Sequence, residues 1–393
     1  EDVADHCTVC HKCLTPCPVK IDFGDVTMNM RNLLRKMGQQ RFNPGTAASM
    51  FFLNATSPES IHLARKTMEG RVEDIRGCIS CNQMCWGRRS RDYWISCLIN
   101  PSVGREWEWG GDRFTKAEVA KSVLVVGAGP AGLEAARAAA ERGHRVEIVE
   151  ALPVIGGQFR LAGMQPRRAQ ILDLMEWYER QFAKLGVTVR LNTFLDDDEI
   201  AAHPAEVVVL ATGSLPDETG FQRWLPHEPA LPGLEAGGVW APEQVMRREA
   251  RLGDSVVVYD EGSNWRGVGT AWALAEQGKK VTIVTPEAFV GKEIARTAAD
   301  GMARSRMAKL GVKMLTEHCI ARWHGNGVTV RSLLTGEEET IAASALVMAT
   351  TNRAFDPFPE SFADKATHRI GDCTAPRLAA YAFHEGRKLA LSL

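Results

Sequence analysis

The 393-residue sequence predicts an α/β fold with two Rossmann-like nucleotide-binding domains, preceded by cysteine-led iron–sulfur segments. Three observations predict it. Residues 122–150, "SVLVVGAGPAGLEAARAAAERGHRVEIVE", read as strand, glycine turn, helix, strand. Residues 254–287, "DSVVVYDEGSNWRGVGTAWALAEQGKKVTIVTPE", repeat that order with an altered turn. Eight of the ten cysteines fall into two tight groups upstream of the first unit. A sulfur-ligated cluster passes single electrons, and a flavin accepts two and releases them singly, so sites for both imply an electron-transfer module.

Composition narrows the partners. A net charge of −1 gives no reason to expect nucleic acid, and no apolar run approaches the ~18 residues of a bilayer span. No signal peptide is read, which with the clustered thiols points to the cytoplasm rather than to disulfides. The first residue is Glu, so a fragment, a processed chain or a fusion is expected.

Residues 1–66 read as a helical, ferredoxin-like iron–sulfur segment. Cys7, Cys10, Cys13 and Cys17 spell C-x2-C-x2-C-x3-C-P, the bacterial-ferredoxin ligand run. In two-cluster ferredoxins the fourth cysteine serves the other cluster. Cys17 therefore either closes its own cluster or awaits a companion run upstream. The same stretch contains C-x-x-C-H, the haem c attachment pattern, which would leave Cys13 and Cys17 unexplained. Val26, Met30, Leu33 and Leu34 then fall on one helical face.

Residues 67–118 hold the second cysteine group and a Trp-bearing linker. Cys78, Cys81, Cys85 and Cys97 read C-x2-C-x3-C-x11-C, three thiolates from one loop and a fourth from a following segment. That suits a [4Fe-4S] cubane, whose irons each take a ligand from a different direction; structural zinc favours two C-x2-C-type pairs. Trp107 and Trp109 are expected to pack this loop against a neighbouring domain.

Residues 119–220 with 345–393 read as the first nucleotide-binding domain. Gly127 permits the tight turn, Gly129 lets the backbone approach a pyrophosphate, and Gly132 lets the helix pack on its strand. Pro130 and Ala131 open the helix, whose N-terminus faces the phosphates, while Glu150 suits ribose hydroxyls. Ala211, Thr212 and Gly213 end a later strand. Gly371 and Asp372, just before the C-terminal helix, offer an acid and free amides to a ribityl chain. This second, distant contribution favours FAD over NAD, with ADP alone as the lesser occupant.

Residues 221–344 read as a second Rossmann-like domain with a degenerate site. Aligning strand ends puts Asp260, Gly262 and Trp265 at the three glycine positions, and Thr285 where Glu150 stands. An acid would repel a pyrophosphate and an indole would hold the helix off its strand. Cys319 reads as a small core residue, and Cys373 could touch the flavin. No zincin pattern or nucleophile elbow is present, and no catalytic residue is assigned.

From about Glu69 onward the chain resembles the C-terminal part of the iron–sulfur flavoproteins that include trimethylamine dehydrogenase and 2,4-dienoyl-CoA reductase. The motifs are "EGRVEDIRGCISCNQMC…C", "VLVVGAGPAGLEAARAAAERGH", "IGGQF", "LATG" and "IGDCTAPR…EGRKLA". The resemblance implies a glutathione-reductase-like pair of domains. It implies a [4Fe-4S] cluster on Cys78, Cys81, Cys85 and Cys97, and Gly157 and Gln158 against the adenine dinucleotide. It also implies FMN chemistry in a (β/α)8 barrel, absent from this chain and so expected in a missing domain or a flavoprotein partner. The altered middle domain is more similar to the amine dehydrogenases than to the reductases. Residues 1–66 instead resemble FAD-linked glycolate- and lactate-type dehydrogenases, with a join near Ala64 to Glu69. The implied role is relay of electrons from an FMN-type site to an acceptor such as an electron-transfer flavoprotein, within an oxidoreductase complex. An NAD(P)H-dependent reductase of the dienoyl-CoA type and a non-catalytic ADP-binding interaction subunit are the rival readings.

Overall fold

Residues 63–110 and 114–393 are described by the computed structural model. The first cysteine group, Cys7, Cys10, Cys13 and Cys17, and the ferredoxin-like reading of that segment lie outside the described residues, as does its amphipathic helix.

Four consecutive apolar residues, Val123 to Val126, are buried on both faces, the mark of a central parallel strand. They form β1 (Ser122–Val126), followed by α1 (Pro130–Glu141) and β2 (Arg145–Val149). Pro130 occupies the first helical turn, where its missing N–H costs nothing. The chain continues through α2 (Gly157–Gly163), α3 (Gln170–Leu185), β3 (Thr188–Arg190) and β4 (Val207–Leu210). A short β5 (Ser214–Pro216) then leads into the second domain.

There β6 (Val239–Trp240), β7 (Ser255–Asp260), α4 (Trp265–Glu276), β8 (Lys280–Val284) and β9 (Lys313–Leu315) rebuild the same unit. An antiparallel sheet of β10 (His318–Trp323), β11 (Gly327–Ser332) and β12 (Glu338–Ala342) precedes β13 (Ala345–Ala349). The chain returns through β14 (Asn352–Ala354), which pairs antiparallel with β5, to β15 (Ala366–Arg369) and α5 (Ala379–Ser392).

The two five-stranded parallel sheets have orders β15-β4-β1-β2-β3 and β6-β13-β7-β8-β9. The boundary at 345 is therefore corrected. Residues 345–349 are wholly buried and pair in parallel with β7, so they belong to the second domain. β13 stands there where β4 stands in the first sheet, and the crossing back begins only at the β14–β5 ribbon.

Small residues let α5 lie close on α1. A Cβ on Gly386 would stand 2.3 Å from the Ala131 carbonyl oxygen. Ile79, Leu98 and Ile99 join the core of the first domain, which anchors the cysteine loop to that domain. Trp109 is buried and packs, tilted, against the His384 ring of α5 with centroids 4.8 Å apart. Trp107 is 76% exposed, so of the two indoles expected to pack the loop only Trp109 does so.

Candidate functional site

The first glycine turn is shaped by close backbone approach. Gly127 has φ +104°, and a Cβ there would stand 2.4 Å from the Ala211 carbonyl oxygen. A Cβ on Gly132 would stand 2.0 Å from the Gly127 carbonyl oxygen, so the helix rests directly on the turn. Around Gly129 the position is reversed: nothing lies within 4 Å of a Cβ built there. That open cradle, at the N-terminus of a 12-residue helix, fits a pyrophosphate. Glu150 holds the turn, its Oε2 accepting from Ala128 N at 2.8 Å and its Oε1 from Leu152 N at 2.9 Å. Each oxygen keeps a lone pair for a ribose hydroxyl.

A cleft of about 530 Å³ opens from this turn. Gly127, Gly129, Pro130, Ala131, Glu150, Gly157, Gln158, Ala211, Thr212, Gly213 and Asp372 all line it; Gly132 and Gly371 lie behind its wall. Gln158 Nε2 donates to the Ser214 carbonyl oxygen at 2.6 Å, and Ser214 Oγ donates to Asp372 Oδ2 at 3.1 Å. Burial raises the Asp372 carboxyl above its ordinary range, against the Arg377 amide and Ser214.

The amide of Gly371 itself is not free. Gly371 N donates to Glu385 Oε2 at 2.7 Å, and α5 begins at Ala379, so Gly371 and Asp372 sit on a separate 3-10 turn. The carboxylate of Asp372 lines the cleft, and so does the start of α5, further along the chain, through Leu378 and Ala379. Cys373 is buried with its sulfur on the Leu210 and Ile370 carbonyls, away from the cleft lining, while Cys319 is a core residue as expected.

The opposite wall comes from the second domain and was not readable from motifs. Asn264, Trp265, Arg266, Glu243, Met246 and Arg296 face the first turn across the cleft. Arg266 grips Glu243 in a fork, 2.6 and 2.8 Å, and Arg168 lies 4.9 Å over the Trp265 ring. Burial pulls the Arg168 guanidinium down to about 10.

The second turn is longer than its sequence alignment implied. Asn264 caps α4, its Oδ1 accepting from Arg266 N at 2.9 Å, so Asn264 stands where Gly129 does and Gly267 where Gly132 does. Trp265 is the first helical residue rather than a wedge between helix and strand. A Cβ on Gly267 would strike the Asp260 carboxyl at 2.3 Å, so helix and strand do meet closely, over a buried acid. Asp260 is fully buried with neither carboxyl oxygen in a hydrogen bond, and burial pushes it up to about 8, opposed by the Asn264 amide and Arg266.

Asp260 therefore makes stability fall as pH rises. Unfolded, the carboxyl titrates near about 3.9. Between about pH 4 and 8 the folded chain holds a proton that the unfolded chain has lost, so unfolding becomes easier with each unit. Asp260→Asn carries no such loss, and should gain on the parent by up to ~1.4 kcal/mol per pH unit in that window. Melting curves at pH 4, 6 and 8 check this; a difference that does not grow with pH contradicts it.

The cysteine loop forms the third side of the cleft through Gln83, Met84 and Leu98. Burial pushes the Cys81 thiol up to about 12; the Gln83 amide opposes it, and the neighbouring Cys97, Cys85 and Cys78 add to it. Burial likewise raises Cys97, against the amides of Ile99 and Asn100. Ser80 N donates to Cys78 Sγ at 3.3 Å. Amides aimed at three of the four sulfurs are the donor set that stabilises thiolates bound to iron, so the residues fit a cluster. Among the described residues no three His, Cys, Asp or Glu side chains converge to hold one metal ion.

Comparison with known proteins follows the domain division. Residues 122–188 match the family described as FAD dependent oxidoreductase, and residues 195–357 that described as pyridine nucleotide-disulphide oxidoreductase. These are oxidoreductase domains of the FAD-binding type. The chain is 36% identical over 233 residues to a probable N-methylproline demethylase of Rhizobium meliloti (strain 1021), covering 59% of this chain and 32% of that protein. It is 37% identical over 222 residues to a cinnamate reductase of Clostridium sporogenes, covering 56% of this chain and 31% of that one. Its structure is similar to that of 6-hydroxypseudooxynicotine amine oxidase from Pseudomonas geniculata N1, with a TM-score of 0.80 and 30% identity over 85% of this chain and 51% of that one. The chain thus spans about a third to a half of the relatives it matches. Among the described residues no helix is long and apolar enough to cross a membrane.

Proposed function

We propose that this chain is the electron-relay half of an amine dehydrogenase- or demethylase-like iron–sulfur flavoprotein. One observation carries the reading: the pyrophosphate cradle at Gly129 and the cysteine-loop residues Gln83, Met84 and Leu98 wall the same cleft. FAD, or ADP in its place, would lie on Gly127 to Gly132 with its ribose at Glu150. A [4Fe-4S] cluster would be held by Cys78, Cys81, Cys85 and Cys97. Together such groups supply conversion between two-electron and one-electron transfer. The chain's own residues orient the nucleotide through the helix start and Glu150, fix the far end with Gln158 and Asp372, and keep water from Cys81 and Cys97 by burial. Electrons would come from an FMN-type site in another domain or a flavoprotein partner. They would leave to a carrier such as an electron-transfer flavoprotein, in the cytoplasm.

The similarity to a cinnamate reductase supports a second reading, an NAD(P)H-dependent reductase of the dienoyl-CoA type. Anaerobic mixing separates the two. In the relay reading NADH or NADPH alone leaves the visible spectrum of the purified protein unchanged, whereas dithionite bleaches it and a one-electron acceptor restores it. The reason is the second turn: Asn264 caps its own helix with the side chain, and Asp260 lies beneath it. Rapid bleaching by NADH or NADPH would install the reductase reading instead.

A further inference from the structure

Glu134, on the second turn of α1, is fully buried and accepts from side chains in four parts of the chain. Tyr178 Oη of α3 stands at 2.7 Å, Arg387 Nε of α5 at 2.7 Å, Arg137 Nη2 at 3.1 Å and Arg76 Nη2 at 3.2 Å. Burial would push this carboxyl up, but Arg137, Arg76 and Arg387 together hold it well below the ordinary carboxylate range. Removing the anion would take one shared partner from three buried guanidinium groups.

Two of those arginines reach the ends of the cysteine loop. Arg76, two residues ahead of Cys78, packs 4.2 Å over the Trp177 ring, and its Nη1 donates to the Ile99 carbonyl oxygen at 2.6 Å. The Ile99 amide in turn faces the Cys97 sulfur. Arg387 Nη1 donates to Ser102 Oγ at 2.8 Å, just past the loop's other end. The chain entering the loop and the chain leaving it are tied to a single carboxylate on the helix that opens at the pyrophosphate cradle.

We propose that Glu134 is a positioning residue that fixes the two ends of the cysteine loop through Arg76 and Arg387, and that the positive charge of Arg76, two residues ahead of Cys78, favours an additional electron on the group the loop holds. The second half rests on the cluster reading above. Rigid forks of this kind transmit geometry as well as charge, as partners behind metal ligands do.

The test uses the purified chain and Arg76→Gln, which removes one arm and leaves Glu134 with Arg137, Arg387 and Tyr178. Hydrogen exchange of residues 78–100 should quicken at least tenfold, while residues 122–150 exchange as before. Reduction of the bound cluster should become at least tenfold less favourable, about 59 mV more negative for one electron. Arg76→Lys should restore the potential but not the exchange protection, because the charge returns without the fork. A lower melting temperature with loop exchange and potential both unchanged would make the ionic group a fold staple and overturn the proposal. Should Arg76→Gln fail to fold, Ser102→Ala cuts the other arm, together with the Ser102 Oγ bond to the Trp109 carbonyl oxygen, and should quicken exchange at 97–102; unchanged exchange there overturns it equally. A parent protein without iron would end the cluster reading, and the exchange arm would still decide the positioning role.

Discussion

Replacing Gly129 with Asp should leave the chain folded and strip it of bound nucleotide. Nothing lies within 4 Å of the new Cβ, so the protein itself has room for it. The carboxylate would enter the place of the pyrophosphate at the start of α1, where it adds a like charge to an anion-binding cradle. Gly132→Ala supplies the contrast. Its Cβ would stand 2.0 Å from a backbone oxygen that cannot move without the turn, so it should cost stability by several kcal/mol, about as overpacking in a core does. Nucleotide released on denaturation, set beside the melting temperature, separates the two. A Gly129→Asp protein that keeps its nucleotide would show that the turn is a packing feature alone.

Cys81→Ser should remove about four irons per chain and much of the visible absorbance, since a cubane seldom survives exchange of a thiolate for an alkoxide. Cys81 is the informative choice because it is half-buried between the loop and the first core, where burial and its three companion thiols all oppose a bare thiolate. In the absence of iron that sulfur stays protonated and inert. Cys319→Ser, in the core of the second domain, should leave the iron unchanged. Unchanged iron in Cys81→Ser would sink the ligand assignment.

What could be read from the sequence was what is local. β1, its turn and α1 are contiguous, so the glycines and Glu150 announced their geometry directly. The second turn misled because Asn264, not a glycine, caps the helix, and an extra stretch of turn separates it from β7; alignment from the strand end ran out of register. Gly371 misled because a carboxylate from α5, Glu385, takes its amide. Arg168, Arg266 and Glu243 reach the cleft only through the packing of one domain on the other, which no short window reports. In the sequence nothing sets Glu134 apart from other helix acids, with Arg137 three residues on. Its burial follows from α3, α5 and the residues ahead of the cysteine loop meeting over it, partners 44, 253 and 58 positions away.

If one cleft joins a nucleotide to an iron–sulfur cluster, both must come out of the same purified chain. Anaerobic purification followed by denaturation, with the released nucleotide identified and the iron counted, tests this most directly. One FAD or ADP and about four irons per chain are expected on the second cysteine group, the count being taken with the cysteines at 7, 10, 13 and 17 replaced by Ser. A protein that lacks either the adenine nucleotide or the iron would contradict it.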